Sequence, residues 1–199
     1  MRIAVVGAYG AGKTTLSRAL SRITGWPVVP VGPMADPVRG RPLPLERCSL
    51  AQTFQLTLRR HEERVRGQAV LGAAFISDGS VLHEWVYLLT LARWTLRRPT
   101  GDGRHPDERR QAAAVGRLAA CALAEMGQQM GHRYDLVVRV PVEHTLPSGA
   151  PITVEFQRQL DSITAAVLAR TGARLVRAEG TTTARARAVV SSVVVTPGG

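Results

Sequence analysis

Apolar residues fall into short blocks along this chain, and the spacing inside the blocks alternates between two patterns. Arg2 to Val6 is a continuous apolar run of strand length. Directly after it, Leu16, Ala19, Leu20 and Ile23 recur at three- and four-residue intervals, which predicts a helix over Gly12 to Thr24. Gly25 closes that helix, and Pro27 to Val31 predicts a second strand or an extended edge. Residues 32–44 contain four prolines and two glycines and read as loop. Leu45 to Leu71 predicts a helix with Leu50, Phe54, Leu58 and Val65 as its apolar side, and Ala73 to Ser77 a short strand. Ser80 to Arg98, rich in Leu, Trp and Tyr, predicts a well-buried helix, followed by a polar turn over residues 99–106. Asp107 is placed to cap a helix running to about Met130. The remainder reads as a strand within Tyr134 to Pro141, a loop over 143–151, a helix from Thr153 to about Thr171, a strand at Arg174 to Arg177, and a helix over Thr182 to Val194. Strands alternating with helices imply a parallel sheet covered on both faces, hence an α/β fold of three layers. No repeat or linker divides the chain, so residues 1–195 are expected to form one domain, with 196–199 as a flexible tail.

Composition changes this picture little. The 199 residues can bury roughly 70% of their unfolded surface, enough for a core without a disulfide or metal staple. Cys48 and Cys121 are far apart and lack any CxxC or His-rich neighbourhood, so two reduced thiols are expected. The N-terminus reads as a core strand rather than a secretory leader, and no apolar run approaches a membrane span. A cytoplasmic location without membrane association follows as the expectation. The net charge of +11 comes from arginines spread along the whole chain, and aromatic residues are only 5% of it. That pattern points to compositional bias rather than to a nucleic-acid surface.

One segment carries specific chemistry. Gly7-Ala8-Tyr9-Gly10-Ala11-Gly12-Lys13-Thr14, followed by Thr15, fits G-x-x-x-x-G-K-[ST] between a predicted strand and a predicted helix. Glycines allow the backbone to approach phosphate oxygens, successive N–H groups form an anion nest, and the helix start adds its positive dipole end. Lys13 would place a compact charge at the β- and γ-phosphates, and Thr14 would offer a hydroxyl to Mg²⁺. Lys13 is also the only lysine among 26 basic side chains. A planar guanidinium cannot replace a point donor inside such a loop, so here the bias towards arginine is overridden.

The absence of any other lysine excludes an NKxD base-reading motif, and the chain is short for a ring-forming ATPase. The phosphate loop, the run Phe75-Ile-Ser-Asp78-Gly-Ser80, the segment Tyr134-Asp-Leu-Val-Val-Arg-Val-Pro141 and the run Glu155-Phe-Gln-Arg-Gln-Leu-Asp161 occur in the order of the small P-loop kinases. In this the chain resembles the AAA-type nucleotide kinase family that includes the ribosylnicotinamide kinase domain and, more distantly, the deoxynucleoside kinases. The resemblance implies a parallel core sheet of about five strands, ATP with Mg²⁺, and γ-phosphoryl transfer to a hydroxyl of a nucleoside, nucleotide or similar polar metabolite. The chain departs from the family at two places. Gly79 stands where an arginine usually follows the acid, and the lid segment 145–151 has no arginine.

Candidate roles follow. Lys13 with the backbone of Gly10 to Thr14 would hold the phosphates; Thr14 and Asp78 would hold Mg²⁺. Asp36 or Asp78 would be the general base, with a helix N-cap the other reading of Asp78 and a turn aspartate that of Asp36. Arg158, or else Arg97, Arg98 or Arg104, would supply the cation missing from the lid. His83 and Glu84 would line the acceptor pocket or lie exposed. Trp85, Tyr87 and Trp94 read mainly as core, and the run Arg59-Arg60-His61-Glu62-Glu63 as a solvated helix face. Thr181 and Arg185 would touch ATP. The apolar helix over 80–96 could supply a homodimer face. Two other function classes stay open: an ATP-binding regulatory or accessory protein with little turnover, and a nucleic-acid-linked ATPase.

Overall fold

The computed structural model describes residues 1–31, 48–97, 106–146 and 148–194. Asp36, Arg98, Arg104, the whole of the loop 32–44 with its prolines, and the tail 196–199 lie outside the described residues. The elements run β1 (Arg2–Val6), α1 (Lys13–Thr24), α2 (Leu50–Leu71), β2 (Phe75–Asp78), α3 (His83–Arg97), α4 (Pro106–Arg133), β3 (Leu136–Arg139), α5 (Val154–Leu168), β4 (Leu175–Arg177) and α6 (Thr182–Val194). The four strands are all parallel in the order β2-β1-β3-β4.

Alternation along the strands builds two cores. Ile3 and Val5 of β1, Ile76 of β2, and Leu136 and Val138 of β3 face Leu16 and Leu20 of α1 and Ala186 and Val189 of α6. Ala4, Val6, Phe75 and Val137 face the other way, onto α3, α4 and α5, where Leu88, Leu123, Phe156 and Leu160 close the second core. This is the expected three-layer α/β arrangement. β1 lies in the middle because the chain crosses from it to β2 on one side and reaches β3 on the other. Ligands of parallel sheets bind at such a switch point, beyond the carboxyl ends of the strands.

Several expectations are corrected. Among the described residues the sheet has four strands, against an expectation of about five. Pro27 to Val31 is reduced to a single bridge from Val28 to Ile76, held by Val29 N–H to Ile76 O at 2.8 Å and Ile76 N–H to Pro27 O at 2.9 Å. Pro27 and Pro30 have no N–H to extend that ladder. Helix α2 begins at Leu50 instead of Leu45. Ser49 stops it in a reciprocal capping box with Gln52, 3.2 Å from Ser49 Oγ to Gln52 N and 2.9 Å from Ser49 N to Gln52 Oε1. Asp107 sits inside the first turn of α4, which starts at Pro106 and continues to Arg133. Ile23 is exposed, and so is Leu58, while the face of α2 turned inward is Thr53, Leu56, Thr57, Arg60, Arg64 and Gln68. Finally, α3 is buried by its own chain from Glu84 to Ala92, so that stretch packs inside the fold.

Among the described residues, no helix is long and apolar enough to cross a membrane.

Candidate active site

The phosphate loop occupies the bend from β1 into α1. Gly7 is required sterically: a Cβ there would lie 2.3 Å from Val140 O, inside van der Waals contact with the main chain that follows β3. Gly12 precedes the helix with φ of 92°, and Leu16 N–H returns to Gly12 O at 3.0 Å. The amides of the loop and of the first turn of α1 are thereby gathered at the helix start, where its dipole is positive.

Two packing contacts hold the loop from outside. Gln157 of α5, buried, donates from Nε2 to Tyr9 O at 2.7 Å. Arg185 of α6, 4% exposed, donates from Nη1 to Ala11 O at 2.8 Å, and its Nη2 lies 3.1 Å from Glu143 Oε2. Glu143 in turn accepts from Gly180 N at 3.0 Å. The buried guanidinium therefore locks the loop to the segments that follow β3 and β4.

Lys13 Nζ folds back onto Ala8 O at 2.9 Å. Burial pushes its pKa down to about 8; the Asp78 carboxylate opposes this, and the guanidinium groups of Arg64 and Arg60 add to it. Such a lysine is a charge waiting for an anion.

The pairing register brings the acid to the loop. Val5 is opposite Asp78, and Gly79 N–H is bonded to Val5 O at 2.8 Å, so Asp78 ends β2 beside the loop. Thr14 Oγ1 donates to Asp78 Oδ2 at 2.5 Å, while Asp78 Oδ1 is buried without a hydrogen-bond partner. A hydroxyl and a carboxylate with a spare oxygen, next to a phosphate nest, fit the hard oxygen donors that Mg²⁺ takes from protein when phosphates supply the rest. Among the described residues, no group of three His, Cys, Asp or Glu side chains could hold a metal alone.

Behind Asp78 lies a buried polar network that sequence reasoning missed. Arg64, fully buried, donates from Nη2 to Glu84 Oε1 at 2.6 Å and from Nη1 to Asp78 O at 2.8 Å and Ser77 Oγ at 3.2 Å. Arg60, one turn earlier on α2, has Nε 3.6 Å from the same Glu84 carboxylate. Gln68 bonds Ser77 Oγ at 3.1 Å and Tyr134 Oη at 2.8 Å, and Val81 N–H donates to Tyr134 Oη at 3.0 Å. The available signal was the four-residue spacing of Arg60, Arg64 and Gln68. A reading that seeks apolar stripes passes over it.

The other candidates divide. Glu84 is 1% exposed and serves as counter-ion to two arginines; it neither lines a pocket freely nor lies exposed. His83 is partly buried against Tyr87, with ring centroids 5.0 Å apart. Burial, then the charges of Lys13, Arg64 and Arg60, holds its pKa well below the ordinary value, so it is neutral. Trp85 and Tyr87 are core residues as expected, and Trp94 packs edge-on against Phe156. The run 59–63 is not wholly solvated: Arg60 is buried, and His61 Nδ1 lies 3.3 Å from both Val81 O and Trp85 Nε1. Arg158 is exposed, one residue past Gln157, and Arg97 is exposed at the end of α3. Thr181 is exposed, and its Oγ1 accepts from Ala184 N at 3.2 Å at the start of α6.

No family model matches the sequence, and no curated protein matches it significantly. Solved structures do match in fold. Deoxyadenosine kinase from M. mycoides with bound dATP aligns with a TM-score of 0.64 at 15% identity, over 98% of this chain and 100% of the other. The same enzyme with dCTP aligns at 0.60 and 12% identity, over 98% and 99%. The NadR protein in complex with NR aligns at 0.59 and 15% identity, over 96% of this chain and 49% of that one. The chain thus has the fold of small P-loop kinases.

Proposed function

We propose that the protein is an ATP- and Mg²⁺-dependent kinase that transfers the γ-phosphoryl group to a hydroxyl of a nucleoside, nucleotide or similar polar metabolite. The observation that carries this reading is the pairing of Thr14 Oγ1 with Asp78 Oδ2 at 2.5 Å, beside Lys13 and with Asp78 Oδ1 buried and unpaired. The fold shared with kinases of nucleosides adds support.

In this reading the loop amides and Lys13 bind the phosphates, and Lys13 exchanges its bond to Ala8 O for a phosphate oxygen. Thr14 and Asp78 would hold Mg²⁺, which when bound offsets phosphate charge. Asp78 cannot use Oδ1 for a cation and for a proton at the same time, so Asp36 is the base when Asp78 serves the metal. Neutral His83 would line the acceptor pocket, with Tyr87 packed behind it in the core. Thr181 and Arg185 lie on the nucleotide side, with Arg185 acting by holding the loop. Arg158 would neutralise transition-state charge only by swinging in from its exposed position.

The test is phosphorus NMR of the protein with Mg²⁺-ATP and pooled nucleosides, nucleotides and amino sugars, beside Lys13→Ala. A new phosphoester signal that is lost in the variant is expected. ATP binding without ester or ADP would replace this reading with that of an ATP-binding accessory protein, which the exposure of Arg158 and the arginine-free lid favour.

A further inference from the structure

We propose that Arg64 and Gly79 form a matched pair in which Arg64, reaching across from α2, positions Asp78 for the cation. This rests on the metal–nucleotide reading above. Gly79 has φ of +100°, and a Cβ built there would lie 2.9 Å from Arg64 Nη2 and 3.1 Å from both Cζ and Nη1. Near-equal distances to three atoms of one planar group mean that the guanidinium lies face-on to the Gly79 backbone. Any larger residue at 79 would have to push it away. The space that a side chain after Asp78 would use is therefore filled by a cation from another helix.

What Arg64 does there follows from its partners. Nη1 holds the Asp78 carbonyl at 2.8 Å and Ser77 Oγ at 3.2 Å; Nη2 and Nε hold the Glu84 carboxylate at 2.6 and 3.3 Å. One rigid fork thus ties the last two residues of β2 to the first turn of α3. The Asp78 main chain is bound by Arg64 on its carbonyl and by the β1 ladder through Gly79 N. With the main chain held from both directions, the carboxylate keeps Oδ2 on Thr14 and leaves the buried Oδ1 without a hydrogen-bond partner. Arg64 is completely buried and its guanidinium is spent on Ser77, Asp78 and Glu84, so it is a positioning residue rather than a catalytic one.

The test uses Mn²⁺ in place of Mg²⁺ and a non-hydrolysable ATP analogue, so it does not depend on turnover or on the acceptor. Mn²⁺ affinity is read by electron paramagnetic resonance, and analogue affinity by fluorescence titration in EDTA. Arg64→Met is expected to weaken Mn²⁺ binding at least tenfold while metal-free nucleotide affinity changes less than threefold. Arg64→Lys, which keeps the charge and loses the fork, is expected to fall between. Because Arg64→Met leaves Glu84 a buried charge with one partner fewer, Arg64→Met/Glu84→Gln is measured beside it. Gly79→Ala, which displaces the guanidinium and retains it, is expected to weaken Mn²⁺ several-fold. Mn²⁺ affinity within twofold of wild type in the folded double variant and in Gly79→Ala overturns the proposal. An equal fall in both affinities overturns it too, since that is general loosening. A wild-type protein that binds the metal–nucleotide pair but phosphorylates no acceptor fails as a kinase and leaves this test intact.

Discussion

At the scale of single residues, the lone lysine is the most exposed to test. Its folded pKa of about 8 lies below the ordinary value of 10.5, so between those two pH values the unfolded chain binds more protons. Stability of the ligand-free protein should therefore rise with pH across that window, and Lys13→Met should remove the slope and raise the melting temperature at pH 7. Phosphate binding restores the charge. Nucleotide binding at pH 8.5 should take up roughly three-quarters of a proton, an estimate that follows from the lowered pKa, measurable by calorimetry in buffers of different ionisation enthalpy. Lys13→Ala should lower kcat about 10²–10³-fold, as loss of one transition-state donor does, and Lys13→Arg should rescue little of it. Lys13 and Thr14 were legible in the sequence because a phosphate nest demands a contiguous motif, and Asp78 was a candidate because it ends a short apolar run. Arg60 and Arg64 were not legible. Their roles come from facing Glu84, twenty or more positions further along, and a basic residue on a helix looks the same whether it faces water or a carboxylate.

At the scale of elements, α2 and α5 decide how firmly the loop is held. The capping box at Ser49 should be worth about 1 kcal/mol, so Ser49→Ala should lower the melting temperature by a few degrees and leave nucleotide affinity unchanged. Gln157→Leu should cost a similar amount of stability but should lower nucleotide affinity as well. It removes the 2.7 Å bond to Tyr9 O, loosening the loop and weakening ATP binding about five- to tenfold, with a stability cost of about 1 kcal/mol. Titration with a fluorescent ATP analogue and thermal melts separate the two effects. The helices were legible as helices, and Leu50, Phe54 and Val65 of α2 pack against the core as expected, whereas Leu58 is exposed. The polar residues Arg60, Arg64 and Gln68 turn inward beside them because they meet the end of β2 and Glu84.

At the scale of the whole molecule, parallel pairing in the order β2-β1-β3-β4 brings one acid, one hydroxyl and one lysine together at the carboxyl ends of the strands. Gly7→Ala tests that assembly. Its Cβ would meet Val140 O at 2.3 Å, so β1 and the segment after β3 must part. Loss of nucleotide binding with a marked fall in thermal stability is expected, read by the same titration and melts. The charge of +11 belongs to this scale as well. Arginines pair locally with Glu62, Glu63, Asp107, Asp135, Asp161 and Glu179 across the surface. Because the excess charge is spread along the whole chain and aromatic residues are only 5% of it, polynucleotide binding should be weak, with a shallow dependence on salt.

The sequence alone determined the alternation of strands and helices, the three-layer class and the phosphate loop, because these depend on local periodicity and on residues adjacent in the chain. It could not determine that Pro27 to Val31 contributes one bridge instead of a strand, that Glu84 is an internal counter-ion, or that Arg64 fills the place beside Gly79. Each of those depends on which surfaces meet across the sheet edge. A buried charge takes its role from the partner that compensates it in three dimensions, and that partner is chosen by packing.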